Sequence, residues 1–220
     1  SACLVGSEMC IRDSLITYVP FGSRRISPIK VVMPFASGGS LRDRIATPSS
    51  GGRPPMSLVE KVQIIAGTAR GMAAIHAHGI IHLDLKPENV LVNHLDEPLI
   101  TDFGLAASTN AASFSNSAGG RGTLHFKAPE LCRSKKKGGA VIGPAADVYS
   151  FAVLAWHVVT GVQPWEGMMD SEIVASLVDG DRPELSEDGS VDWRTQTNPE
   201  LAALIEECWA QDHTKRPTFV

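Results

Sequence analysis

Apolar residues recur at three- and four-residue spacing from Ser57 to His78: Leu58, Val62, Ile65, Ala69, Met72 and Ile75. This period predicts an amphipathic helix with that stripe facing inward. Ser57-x-x-Glu60 forms a capping box at its start, and Gly79 sits where the helix should end. A second run, "AADVYSFAVLAWHVVTG", is apolar on nearly every face and ends at Gly161. It is shorter than the ~20 residues a bilayer span requires, so it predicts a buried core helix. Two more helical stretches fall at about 168 to 178 and 199 to 210.

Elsewhere the pattern is β-like. "LITYVPF" and "IKVVMPF", between Leu15 and Phe35, are joined by "GSRRISP", where Pro28 and the Gly/Ser content mark a turn. "ASGGS" then has two readings, a flexible linker or a tight connection. "ATPSSGGRPP" has the composition of a surface loop. After Gly79, the apolar pairs Ile80-Ile81 and Val90-Leu91 enclose a polar cluster, "HLDLKPEN". "EPLITDFGLA" predicts another strand, ending in Asp102-Phe103-Gly104. Residues 107 to 122 are rich in Ser, Ala, Gly and Asn and are expected to form a mobile loop. No internal repeat is present.

Composition narrows the function classes. The 220 residues suit one domain or one large lobe, with 43% hydrophobic and 20% charged residues. A formal net charge of −4 carries no polyelectrolyte signal, so neither nucleic acid nor an anionic membrane is expected as partner. No apolar run is long enough for a membrane segment. Cys3, Cys10, Cys132 and Cys208 match neither a zinc pattern nor a disulfide framework, which favours a reducing, cytoplasmic setting. The first residues stand apart. "LVGSEMCIRDS", Leu4 to Ser14, is similar, residue for residue, to one reading frame of a transposase adapter used in sequencing-library preparation. Residues 1–14 are therefore expected to be non-native.

The polar cluster has the groups that phosphoryl transfer asks for. A carboxylate must orient the attacking hydroxyl, a cation must neutralise the moving phosphoryl group, and oxygen ligands must hold Mg²⁺. Asp84, Lys86 and Asn89 supply one of each kind, and Asp102 adds a second carboxylate beyond a β-hairpin. Hard oxygen donors suit Mg²⁺. The rival reading of Asp84 and Lys86 is an ordinary surface ion pair, which their apolar setting disfavours.

From about Leu15 to its end, the chain resembles the catalytic domain of a eukaryotic protein kinase. "HLDLKPEN" is similar to the catalytic loop H-R-D-x-K-x-x-N, "DFG" to the metal-binding triplet, and "KAPE" to the motif closing the activation segment. "DVYSFAVLAWHVVTGVQPW" resembles the family's long buried helix, and "VVMPFASGGSL" the hinge between its lobes. "CWAQDHTKRPTF" resembles the closing signature of the tyrosine-kinase-like group. The resemblance implies an α+β, protein-kinase-like fold, with a mostly helical C-lobe and a remnant of the β-rich N-lobe. It divides the chain into a partial N-lobe and hinge, 15–36, and a C-lobe, 37–220, truncated at its C-terminal end.

By matching position, the resemblance makes Asp84 the catalytic base and Lys86 the γ-phosphate clamp. Asn89 and Asp102 become the Mg²⁺ ligands, and Thr123 the residue backing the Asp–Lys pair. Met33 falls at the gatekeeper position, Pro34 and Ala36 on the hinge, and Leu91 under the adenine of ATP. Asp147 is expected to support the catalytic loop from below, Glu130 to pair with Arg216, and His82 to pack under the loop. His76 and His78, at i and i+2 of a helix, face different ways and make a poor metal pair.

Three departures stand out. Leu83 replaces the family's arginine, which pairs with a phosphate on the activation loop. Phe126 and Ala152 stand where tyrosine and glycine are commoner, and are expected to be tolerated packing changes. No Gly-rich loop or phosphate-anchoring lysine can be assigned, so this stretch alone is expected to bind ATP poorly. "SKKKGG" near 134 to 139 is expected to be a solvated insertion, and no motif selects a phosphosite among Ser108, Ser113, Ser115 and Ser117. The expected function is transfer of the ATP γ-phosphate to a serine or threonine hydroxyl of a protein substrate. The alternative is a pseudokinase scaffold acting through protein binding. A helical interaction domain without nucleotide would leave the polar cluster unexplained.

Overall fold

The computed structural model describes residues 4–5, 36–46, 54–108, 123–132, 143–184 and 192–219. Met33, Pro34, the β-like stretches of 15–35, the basic run near 134 to 139 and Ser113, Ser115 and Ser117 lie outside them.

The described chain is mostly helical. Helix α1 (Leu41–Ala46) is short, and α2 (Leu58–Ala77) is the longest. The capping box predicted for α2 is present, with the Ser57 hydroxyl accepting from the Glu60 amide and Glu60 accepting in return. Its buried stripe differs in part from the one read off the sequence. Ile65, Met72 and Ile75 are inside, joined by Ile64, Thr68 and Gly71, whereas Leu58 and Val62 are exposed. The first turn of α2 overhangs the core. There the inward contact is polar, the Lys61 ammonium donating to the Val159 carbonyl at 2.7 Å.

Helix α3 is a single turn (Pro129–Cys132), and α4 (Pro144–Thr160) is the central pillar. Every α4 residue from Ala146 to Val159 is buried, as a helix apolar all round must be. It ends at Gly161 with φ +74°, a left-handed cap that glycine adopts without strain. Helices α5 (Asp170–Asp179) and α6 (Pro199–Cys208) complete the block. The core groups Met72, Ile75, Leu85, Tyr149, Leu154, Trp156, Ile173 and Ile205 around α4.

Short strands sit on one side of this block. Strands β3 (Val90–Val92) and β4 (Pro98–Ile100) form the expected antiparallel hairpin, Leu91 opposite Leu99. Strand β1 (Leu4–Val5) adds to the outer edge of β4. Strand β2 (Ile80–Ile81) pairs with β5 (Ala107–Ser108). Two details correct the sequence reading. Strand β4 stops at Ile100, short of the Asp102 triplet, because the chain turns into a 3₁₀ segment at Phe103–Leu105. Ala107 and Ser108, assigned to a mobile loop, are held in a ladder.

Of the two readings of "ASGGS", the tight connection is the one observed. The Gly38 amide donates to the Val92 carbonyl at 2.8 Å, and the Val92 amide donates to Gly39. A Cβ on Gly38 would lie 2.7 Å from that Val92 oxygen, so the contact demands glycine.

Candidate active site

The chain reverses sharply after Lys86. Pro87 opens a 3₁₀ turn, Pro87–Asn89, with its fixed φ suited to the first position. The turn carries Asn89 back over Asp84. Its side-chain amide donates to the Asp84 carbonyl at 2.8 Å and to Asp84 Oδ2 at 3.0 Å. Lys86 Nζ lies 2.8 Å from the same Oδ2 and donates to Thr123 Oγ1 at 2.9 Å. The Thr123 amide points at Asp84 Oδ1, 3.4 Å away. Asp84, Lys86, Asn89 and Thr123 thus form one network. The Asp84 and Lys86 side chains keep only 11% and 17% of their exposure, unlike those of a surface ion pair.

The loop is braced from beneath by Asp147, fully buried in α4. A carboxylate in that position must be well partnered. Its Oδ1 accepts from the Leu83 amide at 2.8 Å, and its Oδ2 accepts from the His82 amide and from His76 Nε2, each at 2.8 Å. Leu83 has φ +64°, a conformation that costs a side chain-bearing residue roughly 1–2 kcal/mol. The bonds from Asp147 hold it there. The Leu83 side chain itself belongs to the hydrophobic core. His82 is buried under the loop, with Nε2 donating to the Thr101 carbonyl at 3.0 Å and Nδ1 accepting from the Asp84 amide at 3.3 Å. Phe103 packs against its ring.

Asp102 reaches the site through its neighbour. The Thr101 amide donates to the Asn89 carbonyl at 2.8 Å, which sets Asp102 beside the catalytic loop. Asp102 itself is exposed, with φ +61°, and its Oδ1 accepts from the Gly104 amide at 3.1 Å. Among the described residues, no hydrogen bond reaches Asn89 Oδ1 or the second oxygen of Asp102. Nor do those residues contain a cluster of three or more His, Cys, Asp or Glu side chains able to hold a metal. Two oxygens with room for water and phosphate fit Mg²⁺, which keeps several waters and tolerates few protein ligands.

Of the residues expected to face a nucleotide, only Ala36 and Leu91 are among the described ones. Ala36 and Leu91 lie on the strip where the Gly38–Gly39 turn is bonded to β3, and Ser40 bridges to Leu91.

The structure adds partners that sequence reasoning missed. His76 is the third donor to Asp147, 71 residues away, and no local spacing signals that pairing. Phe126 stacks on His157 of α4, the rings 6.1 Å apart and nearly parallel. Burial pushes His157 down to about 4; Glu88 pulls it upward and Arg42 adds to the fall. The pair expected between Glu130 and Arg216 is present and bidentate, at 2.7 and 2.9 Å, with the guanidinium also donating to Ala145 and Ala210 carbonyls.

A family profile described as "Protein kinase domain" matches residues 14–220. The chain belongs to this family. Kinases of the family use ATP and a divalent metal. The chain is 34% identical over 199 residues to a mouse protein called "Ankyrin repeat and protein kinase domain-containing protein 1". That match covers 88% of this chain and 25% of the mouse protein. It is 31% identical to "Serine/threonine-protein kinase CTR1" of Arabidopsis thaliana, over 87% of this chain and 22% of that protein. The chain therefore spans about a quarter of the length of these relatives. No helix among the described residues is long and apolar enough to cross a membrane.

Proposed function

We propose that the protein carrying this chain is a serine/threonine kinase of the tyrosine-kinase-like group, acting in the cytoplasm on a protein substrate. The observation that supports this best is the closed network of Asp84, Lys86, Asn89 and Thr123. Asp84 Oδ1, with only the long contact from Thr123, is the oxygen that orients a serine or threonine hydroxyl and takes its proton. Lys86 is fixed between Asp84 and Thr123, so its ammonium stays where negative charge builds on the transferred phosphoryl group. Asn89 Oδ1 and Asp102 hold Mg²⁺, which neutralises phosphate charge when bound. Ala36 supplies the hinge donor to adenine and Leu91 the surface beneath it, with Met33 and Pro34 completing that side. A scaffold without phosphate transfer has no chemical use for all four polar groups in this arrangement.

Leu83 bears on regulation. Its side chain is 9% exposed and packed in the core, so no cation from position 83 meets an activation-loop phosphate. Activity is not gated by that pair.

The test is transfer of labelled γ-phosphate from ATP to a protein substrate by the full-length protein. Asp84→Asn should lower transfer roughly 10²–10⁴-fold and leave ATP binding intact. Transfer at the wild-type rate by that variant would refute the assignment.

A further inference from the structure

Two of the hydrogen bonds that hold Asp147 come from backbone amides, and the third comes from a side chain that can rotate. The amides are those of His82 and Leu83, and the third donor is the His76 imidazole, 2.8 Å from Oδ2. The His76 side chain is 12% exposed, so water competes for its ring. An imidazole turned outward would leave Oδ2 with the His82 amide alone, and a buried carboxylate that loses a partner is destabilised. What touches the His76 ring therefore sets how firmly Asp147 is held.

That contact comes from the end of the chain. The Phe219 ring meets the His76 ring edge-on, with centroids 5.1 Å apart and planes at 67°. Phe219 meets Phe151 of α4 in the same manner, at 5.2 Å and 86°. Asp147 and Phe151 stand one turn apart on α4, at i and i+4, and so share a face of that helix. One face thus presents both the carboxylate that takes His76 and the ring that seats Phe219. Three residues earlier Arg216 is clamped by Glu130 and by the Ala145 and Ala210 carbonyls, which fixes where Phe219 enters. Phe219 is half-buried against the core, a wedge between α2 and α4. Edge-to-face rings attract beyond the area they bury, so an aliphatic side chain can fill this space without orienting the imidazole.

We propose that Phe219 is a positioning residue for phosphoryl transfer. Its ring holds the His76 imidazole on Asp147, and Asp147 holds the left-handed turn at Leu83 that presents Asp84.

This rests on the kinase reading above, and one experiment separates the two. The full-length protein transfers labelled γ-phosphate to a fixed pool of serine and threonine peptides while ATP is varied. kcat and KM are read for the wild type, Phe219→Leu, Phe219→Tyr, His76→Ala and the Phe219→Leu/His76→Ala double variant. Phe219→Leu should lower kcat roughly two- to tenfold, the span of one aromatic pair, and leave the KM for ATP unchanged. Phe219→Tyr keeps the ring, has solvent within reach of its hydroxyl, and should retain most of the wild-type kcat. In the His76→Ala background Phe219→Leu should lower kcat no further, because the ring it steadies is gone. Urea denaturation fixes an assay temperature at which every variant is folded, and Phe219→Met takes the place of Phe219→Leu if that variant does not fold. A ring needed only for packing would give the same loss with and without His76. That result, a kcat unmoved by Phe219→Leu, or a Phe219→Tyr variant as slow as Phe219→Leu overturns this inference alone. A wild-type protein that transfers no phosphate overturns the kinase reading and this inference with it.

Discussion

Asp147 and Asp102 both adjoin the loop at residues 82–89, one bonded to its amides and the other following a residue bonded to it, and they are held in opposite ways. Asp147 is fully buried in α4 and accepts three hydrogen bonds from two other segments. Asp102 is exposed, and its Oδ1 accepts from the Gly104 amide, closing a turn two residues long. The first carboxylate is a structural anchor whose position is fixed by the core. The second is held through Thr101 and the Gly104 amide, so its aim is fixed less tightly than that of the first. The difference teaches which carboxylate the core fixes and which it leaves free to adjust.

Asp147→Ala should cost about 2–6 kcal/mol of unfolding free energy, because the two loop amides of His82 and Leu83 each lose a partner worth about 1–3 kcal/mol, while His76, 12% exposed, can turn to water. Urea denaturation of the purified chain measures this. A loss below about 1 kcal/mol would mean that Asp147 is not the anchor. Next comes pH. Burial lowers His157 to about 4 in the folded chain, from an ordinary value near 6.5. The unfolded chain therefore binds the extra proton first, so His157 costs no stability above pH 6.5 and removes stability as pH falls toward 4. About 3 kcal/mol is expected over that window, and His157→Gln should flatten the urea-midpoint profile between pH 7 and 4. An equally steep profile in the variant would refute the assignment.

The smallest stability effect belongs to Asp102→Asn. Asparagine tolerates the left-handed backbone and can accept from Gly104, so stability should change by less than about 0.5 kcal/mol. In the full-length protein the Mg²⁺ concentration for half-maximal activity should nevertheless rise. A large stability loss would erase the contrast with Asp147, and an unchanged metal requirement would remove Asp102 from the metal site.

What was legible in the sequence divides along the same line. Motif order placed Asp84, Lys86, Asn89 and Thr123 in one chemistry, and the structure brings them together. The capping box at Ser57, the core helix ending at Gly161 and the Glu130–Arg216 pair were also readable, each from a short pattern or a familiar signature. His76 and His157 were not. Their roles depend on which residue of a distant helix faces them, and no local period encodes that. Leu58 and Val62 misled because periodicity shows which side of a helix is apolar but not how far along its length the core extends. Ala107 and Ser108 looked like loop by composition, yet a two-residue ladder needs only backbone groups and leaves almost no trace in residue type.

The reliance of the catalytic loop on Asp147 has a consequence for synthesis. Asp84 lies in the chain well before the helix that steadies it, and the amides of His82 and Leu83 find their acceptor about 65 residues later. While the chain is emerging from a ribosome, Leu83 has nothing to offset its left-handed backbone, so residues 82–84 have no reason to hold their final shape. The loop therefore has no local precursor of its final shape. The shape of residues 82–84 waits for α4 to dock.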